Sequence, residues 1–317
     1  MNKWILRALL VLLTVAFMMP IYGCTERKPV TSVDTGYSQV PEVPELSNEP
    51  GTQEAADPAV DEPEDNAADL DIDLQPLEAS LEKRVAALQG DWAIYIKDLQ
   101  SGETIVINNH KMKSASLIKL FIMVAVYTQS ENGSLTLNKK TLKLLNKMIT
   151  VSDNEASNTL VTMLGDGDFK QGMNYENLLN RSLGYTDSEQ QRDMKDWRDT
   201  PVEGENYTSV KDCGVLLERI YRGECISQDC DQQMLDLLFG QTRRGKIPAG
   251  LPANAKVANK TGELTDTEND AAIVYTLNGD YIIVVMSSDL KDVDAARLEI
   301  VDISSEVYDY IVAYKRG

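Results

Sequence analysis

The chain has 317 residues and a formal net charge of −19 at pH 7, a balance that does not favour a nucleic-acid partner. Hydrophobic residues make up 43% of it, which is enough to build a domain with a full core. The single histidine, His110, argues against a catalytic triad of the Ser-His-Asp type.

The first 23 residues have the pattern of a targeting segment. Lys3 and Arg7 form a charged start, and the apolar run from Ile5 to Met19 is too short for a membrane span. The residues Ile-Tyr-Gly before Cys24 resemble a bacterial lipobox, in which the cysteine is lipidated and becomes the new N-terminus. We therefore expect an extracytoplasmic protein, anchored through Cys24 to the outer face of the membrane, with plain secretion as the alternative.

Residues 24–75 are predicted to be a disordered acidic tether. From residue 25 onward this stretch carries 14 acidic residues against Arg27 and Lys28, with six of the chain's 11 prolines. Such a segment has too little apolar surface to offset its conformational entropy. Residues 76–317 are then left as one folded domain.

Within that domain, hydrophobic periodicity predicts strands near both ends and helices between them. The predicted elements are an amphipathic helix over 76–89, a hairpin of strands 92–96 and 104–108, a helical block over 116–239, a second hairpin of strands 271–277 and 281–288 around residues 278–280, and a last amphipathic helix with Leu298, Val301, Val307 and Ile311. This order indicates an α+β fold in which the terminal elements build one antiparallel sheet and the helical block is an insertion.

The cysteines of the domain predict no metal site. Cys225 and Cys230 have a spacing that allows a short disulfide loop outside the cytoplasm, and Cys213 lies in a helical stretch as a candidate buried free thiol. No Cys and His spacing suits zinc. We predict neither a metal nor a cofactor, and a monomer.

Three short motifs follow one another along this framework. Ser116-Leu117-Ile118-Lys119 starts an apolar helical run, where serine and lysine share a face, backbone N–H groups favour an oxyanion, and a desolvated lysine can lose its proton. Ser152-Asp153-Asn154 adds a second hydroxyl and an amide. Lys260-Thr261-Gly262, which is predicted to open a strand, adds a cation, a hydroxyl and a glycine that permits close approach of substrate backbone.

Each motif also has a purely structural interpretation. Ser116 can cap a helix, residues 152–155 match a capping box, and residues 260–262 can form an ordinary turn. Residues 80–83 and 130–132 repeat two of the patterns by chance, the former on a predicted surface helix. The order and setting of the three motifs favour the catalytic interpretation.

The motif set resembles that of class A β-lactamases, within the wider group of penicillin-recognising serine hydrolases. The interval from Ser152 to Lys260 and the segment 246–252, Lys-Ile-Pro-Ala-Gly-Leu-Pro, are also similar to that family. The resemblance implies a five-stranded antiparallel sheet packed with helices and an inserted all-helical subdomain. It further implies that Ser116 is the acylated nucleophile, Lys119 a proton acceptor and Ser152 a proton relay.

The substrate-binding residues implied by the same resemblance lie around the second and third motifs. Arg243 or Lys246 is expected to add positive charge near a substrate carboxylate, and the backbone N–H of Glu263 is expected to complete the oxyanion hole. The charge of Glu263 beside the site would disfavour some anionic substrates. The implied binding residues are Asn154, Lys260, Thr261, Gly262 and Glu263.

The chain departs from the family's pattern in two places. Only 36 residues separate Ser116 from Ser152, so one wall of the site is expected to be open. In the Ω-loop, Arg192 matches the structural arginine and can pair with Glu205, but Met194 stands where the family has its deacylating glutamate, and a methionine is no base. The side chains at hand for a displaced carboxylate are Asp193, Asp196 and Glu189, while Arg198 takes the position of the family's asparagine.

These features leave three functions open. The first is hydrolysis of β-lactams or related amides through an acyl-enzyme on Ser116. The second is a D-alanyl-D-alanine peptidase or a slowly turning over penicillin-binding protein that acts on peptidoglycan. The third is a non-catalytic module that binds or senses cell-wall fragments.

Overall fold

The computed structural model describes residues 72–194, 204–277 and 279–314. Its helices are α1 (Gln75–Ala87), α2 (Ile118–Glu131), α3 (Lys139–Thr150), α4 (Asn154–Leu164), α5 (Phe169–Ser182), α6 (Val210–Arg222), α7 (Gln228–Phe239) and α8 (Val293–Tyr314). Its strands are β1 (Asp91–Asp98), β2 (Thr104–Ile107), β3 (Met112–Lys113), β4 (Tyr207–Thr208), β5 (Lys256–Leu264), β6 (Thr267–Tyr275) and β7 (Tyr281–Ser288). The targeting segment, Cys24 and the tether up to residue 71 lie outside the described residues.

The five long strands form one antiparallel sheet in the order β2-β1-β7-β6-β5. Strands from the two ends of the domain meet at its centre, where Asp91 pairs with Ser288 and Asp98 with Tyr281. The predicted α+β fold, with a sheet built from both ends and a helical block between them, is confirmed. The third motif lies within β5 rather than at its start, because that strand already begins at Lys256.

The sheet separates two hydrophobic cores. Along β1, Ile94 and Ile96 face the core that the sheet shares with α1 and α8, whereas Ala93 and Tyr95 face the core of the helical block. This alternation follows from the two-residue period of a strand. Helix α2 runs through the middle of the helical block with 11 of its 14 residues buried, so its apolar sequence is continuous rather than amphipathic.

Two details differ from the sequence prediction. Ile72 and Leu74, which we assigned to the tether, are 2% and 4% exposed and pack into the core beside α1, so the folded domain begins before residue 76. In α8, Leu298 was predicted to face the core but is 67% exposed. Val307 and Ile311, further along the helix, are buried as predicted. In the first half of α8 the buried face is instead formed by Ala296, Ile300 and Ile303.

All three cysteines of the described domain are free thiols. Cys213 is buried, as predicted. The disulfide considered for Cys225 and Cys230 is not formed: the Cys225 backbone N–H donates to the Asp231 carboxylate, and the Cys230 thiol lies 3.4 Å from Glu131 Oε2. Hydrogen bonds therefore hold this turn.

Buried polar side chains lie on α4 and α5, which pack against each other. The two helices touch where Gly172 faces the carbonyl oxygen of Val161. Ser157, one turn before Val161, and Glu176, one turn after Gly172, are both 0% exposed. Within the described residues, the Ser157 hydroxyl, both Glu176 carboxyl oxygens and the Asn180 amide make no hydrogen bond. Burial raises the pKa of Glu176 to about 8, and the nearby Asn180 amide opposes this only in part. Glu176 is therefore a largely neutral acid at pH 7.

Candidate active site

Ser116 sits in a short 3₁₀ turn, residues 115–117, that leads into α2. The preceding Ala115 has φ of +47°, in the left-handed region that a residue with a Cβ enters at a cost of about 1–3 kcal/mol. Surrounding hydrogen bonds hold this geometry: the Ser114 N–H donates to the Asn206 carbonyl at 2.8 Å, and the Asn269 amide donates to the Ser114 carbonyl at 3.1 Å. The turn presents Ser116 at the start of the buried helix.

Gly262 allows β5 to approach this turn closely. A Cβ at that position would lie 2.9 Å from the carbonyl oxygen of Ser114 and 3.2 Å from the backbone nitrogen of Ser116. The glycine was expected to admit substrate backbone, but the close approach in the structure is to the nucleophile's own turn. Since β5 is an edge strand of the sheet, its outer edge faces this turn rather than another strand of the sheet.

Lys119 joins the first two motifs. It is buried, and its Nζ donates to the Ser152 carbonyl and to Asn154 Oδ1, both at 2.7 Å, and lies 3.3 Å from Ser152 Oγ. Desolvation, assisted by the positive charge of Arg243, lowers its pKa to about 7. A large fraction of Lys119 is therefore neutral at physiological pH and able to accept a proton.

Ser152 serves this cluster and not the helix that follows it. The capping-box interpretation is wrong, because Asp153 is the N-cap of α4 and its carboxylate accepts from the Ala156 N–H at 2.7 Å. Ser152 itself has φ of +62° and its hydroxyl lies between the two lysines, 2.9 Å from Lys260 Nζ. Ser152 thus adopts a left-handed backbone conformation, which is unfavourable for a residue with a Cβ, at the point where its side chain contacts Lys119 and Lys260.

Lys260 is fully buried and also donates to the Thr261 carbonyl at 2.7 Å. Desolvation and the neighbouring charges of Lys119 and Arg243 bring its pKa well below the ordinary value. The buried Asp270 opposes this shift. Burial raises the pKa of Asp270 to about 6, and its carboxylate accepts from the Asn259 amide at 3.0 Å. Two lysines with lowered pKa values thus flank one serine hydroxyl.

An open cleft of about 430 Å³ lies in front of these groups. Of the two predicted cations, Arg243 lines it and pairs with Glu263 at 2.8 Å. Lys246 does not: it is buried, pairs with Glu268 at 2.6 Å, and donates to the Gly262 carbonyl. The cleft is lined by Ser116, Ser152, Asn154, Arg243, Thr261, Glu263, Leu264 and Thr265.

Hydrogen bonds to two asparagines hold Met194 in place. Asn158, on α4, donates to the Met194 carbonyl at 3.0 Å and accepts from its N–H at 2.8 Å, so both backbone groups of Met194 are held. Asn206 donates to the Met194 sulfur at 3.3 Å. Arg192 pairs with Glu205 at 2.8 Å, which confirms the predicted closure of the loop.

Two of the candidate replacement carboxylates, Glu189 and Asp193, do not line the cleft. Glu189 is bound to Lys111 at 2.6 Å, and neither it nor Asp193 is among the described residues that line the cleft. The Asp193 carbonyl accepts from Arg192 Nη1. Asp196 and Arg198 lie outside the described residues. Among residues 72–194, 204–277 and 279–314, no group of three or more His, Cys, Asp or Glu side chains is arranged to hold a metal ion.

A model of the β-lactamase enzyme family matches residues 76–143 and 138–311. The chain belongs to the β-lactamase enzyme family. No curated protein sequence matches it significantly. Solved structures with the same fold match about three quarters of this chain and are themselves covered almost completely.

Three of these structures illustrate the range. The β-lactamase from Sphaerobacter thermophilus is 25% identical, with a TM-score of 0.67, 76% of this chain covered and 99% of that one. A variant of PBP-A, solved as an acyl-enzyme complex with penicillin G, is 24% identical, with a TM-score of 0.69 and coverages of 78% and 99%. An ancestral class A β-lactamase is 23% identical, with a TM-score of 0.64 and coverages of 75% and 99%.

Three asparagines that position this site were missed by the sequence analysis. Asn158 holds Met194, Asn269 holds the turn before Ser116, and Asn206 bonds to both the turn and the loop. The Asn206 side chain also accepts from the N–H groups of residues 191 and 192. A single asparagine matches no motif, so these three positions could not be picked out from the sequence.

Proposed function

We propose that this family member is a serine hydrolase that opens β-lactams or related amides by forming an acyl-enzyme on Ser116, and that it hydrolyses that acyl-enzyme slowly. The observation that carries the first half is the Ser152 hydroxyl held between Lys119 and Lys260 beside Ser116. The observation that carries the second half is Met194, bonded in place by Asn158.

Acylation begins with transfer of the Ser116 hydroxyl proton to neutral Lys119 as Oγ attacks the carbonyl carbon. The carbon–nitrogen bond of the tetrahedral intermediate then breaks, and the Ser152 hydroxyl protonates the departing nitrogen. Ser152 regains a proton from the lysine cluster, so the proton lost by Ser116 ends on the leaving group. The N–H groups of Ser116 and Glu263 are proposed to stabilise the oxyanion.

Deacylation needs a base that activates water for attack on the ester. Met194 has no proton-accepting group, and general bases contribute about 10²-fold to 10⁴-fold to such steps. A variant of PBP-A, which has the same fold, was solved as an acyl-enzyme complex with penicillin G, so the fold is compatible with such an adduct.

The experiment is intact mass of the purified protein against time after mixing with benzylpenicillin, with Ser116→Ala as the matched control. We expect an adduct that lasts minutes or longer and is absent from the control. An adduct that vanishes within seconds while product accumulates would refute slow hydrolysis and identify an efficient β-lactamase. No adduct and no hydrolysis would refute the proposal and favour a binding module.

A peptidoglycan-directed D-alanyl-D-alanine peptidase is the second candidate. Met194 at the position of the family's glutamate and the open cleft favour it, because such an enzyme would work without a base at position 194. Release of D-alanine from a peptide ending in D-alanyl-D-alanine distinguishes it from a protein that reacts with lactams only.

We further propose that the protein is held at the outer face of the membrane by a lipid on Cys24. None of the helices in the described part of the chain is long and apolar enough to cross a membrane. Metabolic labelling with a palmitate analogue tests the anchor, and Cys24→Ala is expected to abolish the label and release the protein into the medium.

A further inference from the structure

Arg243 is the cation of the open cleft, and the chain fixes its backbone beside the second motif. The Gln241 amide donates to the Ile149 carbonyl at 2.9 Å, and the Thr242 N–H donates to the Thr150 carbonyl at 2.9 Å. The Arg243 N–H donates to Gln241 Oε1 at 3.0 Å. This segment is therefore bonded to the end of α3, just before Ser152.

The guanidinium of Arg243 is already occupied by Glu263. Nη1 of Arg243 lies 2.8 Å from Glu263 Oε2, and Lys246 Nζ lies 3.5 Å from the other carboxylate oxygen. Burial favours the neutral acid, but the charges of Lys246 and Arg243 outweigh it and hold the pKa of Glu263 below its ordinary value. Glu263 is therefore an anion at neutral pH.

The two lysines behind Ser152 do not offer a free replacement charge. Both are buried and bonded to neighbouring oxygens, and both have lowered pKa values. An incoming carboxylate thus has Arg243 as its exposed cation, at 47% side-chain exposure, and meets Glu263 in the same place. Like charges that converge on one guanidinium repel each other.

We propose that Glu263 selects substrates by charge, competing with a substrate carboxylate for Arg243 and favouring substrates that also carry an ammonium group. This inference rests on the proposed acylation of Ser116. A substrate with both charges restores each ion pair, since its carboxylate takes Arg243 and its ammonium takes Glu263. The substrate class is a peptide-like amide with a free carboxylate and a primary amine, both within the reach of one small cleft.

The test compares three probes that differ in charge: benzylpenicillin, an anion; its methyl ester, which is neutral; and ampicillin, which adds an ammonium group to the same scaffold. Second-order rate constants for adduct formation are measured on the whole protein and on Glu263→Gln. The matched control is Glu155→Gln, which removes an equal charge from the exposed first turn of α4, next to Asn154, without touching Arg243.

For a partly exposed ion pair, we expect Glu263→Gln to raise the ratio of the benzylpenicillin rate to the ester rate about fivefold. The ratio of ampicillin to benzylpenicillin should fall by a similar factor, and Glu155→Gln should leave both ratios unchanged. Ratios also cancel any change in nucleophile strength that all probes share.

Adducts with all three probes whose ratios are the same in Glu263→Gln and the wild type would overturn the charge-selection inference and leave the proposed acylation standing. Equal changes in Glu263→Gln and Glu155→Gln would also overturn it, because they would reflect net charge alone. No adduct with any probe would overturn both proposals together.

Discussion

Replacing Glu176 with Gln tests whether this buried residue of α5 is a neutral acid. The pKa of Glu176 is about 8 in the folded protein against an ordinary value of 4.5. Between these pH values the folded state binds more protons than the unfolded chain, so stability is fully present below pH 4.5 and falls as the pH rises to 8. A shift of this size corresponds to about 5 kcal/mol in the free energy of unfolding.

The assay is urea unfolding of the wild type and Glu176→Gln from pH 4.5 to 8.5. The other titrating groups are shared, so the difference between the two profiles isolates Glu176. The free energy of unfolding of the variant should rise steadily relative to that of the wild type up to pH 8, and the difference should then stay constant. Glu189→Gln is the control: Lys111 lowers the pKa of Glu189, so this group titrates below the assayed range and its difference profile should stay nearly flat from pH 4.5 to 8.5. A constant offset between wild type and Glu176→Gln across the range would refute the reasoning.

Three further predictions concern the site itself. The rate of acylation by benzylpenicillin should rise with pH around a midpoint near 7, because Lys119 must be neutral to accept a proton, and a flat profile from pH 5 to 9 would contradict this. Gly262→Ala should slow acylation more than tenfold and cost about 1–3 kcal/mol of stability, because the new Cβ meets the Ser114 carbonyl at 2.9 Å. Gly245→Ala, which meets nothing within 4 Å, is its control for both thermal melting and acylation. Met194→Glu should shorten the lifetime of the penicillin adduct about 10²-fold or more, whereas Met194→Gln should not, and equal lifetimes in the two variants would show that position 194 does not face the ester.

The sequence predicted the parts of this molecule that depend on short-range patterns. Alternation and turn residues gave the sheet, and the three motifs gave the residues that meet around Ser152. The family resemblance gave the loop register, which the Asn158 bonds to Met194 and the pairing of Arg192 with Glu205 support.

Other features depended on contacts between distant segments and were beyond local patterns. Ser152 matched a capping box, but the neighbouring Asp153 caps the helix instead. The pairing of Arg243 with Glu263 joins a loop to a strand that are 20 residues apart. Glu176 looked like an ordinary polar residue of a helix, and only tertiary packing shows that it is enclosed.

The position of β7 has a consequence for how the domain is made. This strand lies at the centre of the sheet, between β1 and β6, yet it is the last of the five strands to be synthesised. At about 5–20 residues per second, β1 waits roughly ten to forty seconds for its partner. During that time the helical block can form its local contacts, while Ile94 and Ile96 lack the part of their core that β7 and α8 supply. A chain that stops before residue 281 would leave β1–β2 and β5–β6 as two separate hairpins, so completion of the sheet is expected to be the final step of folding.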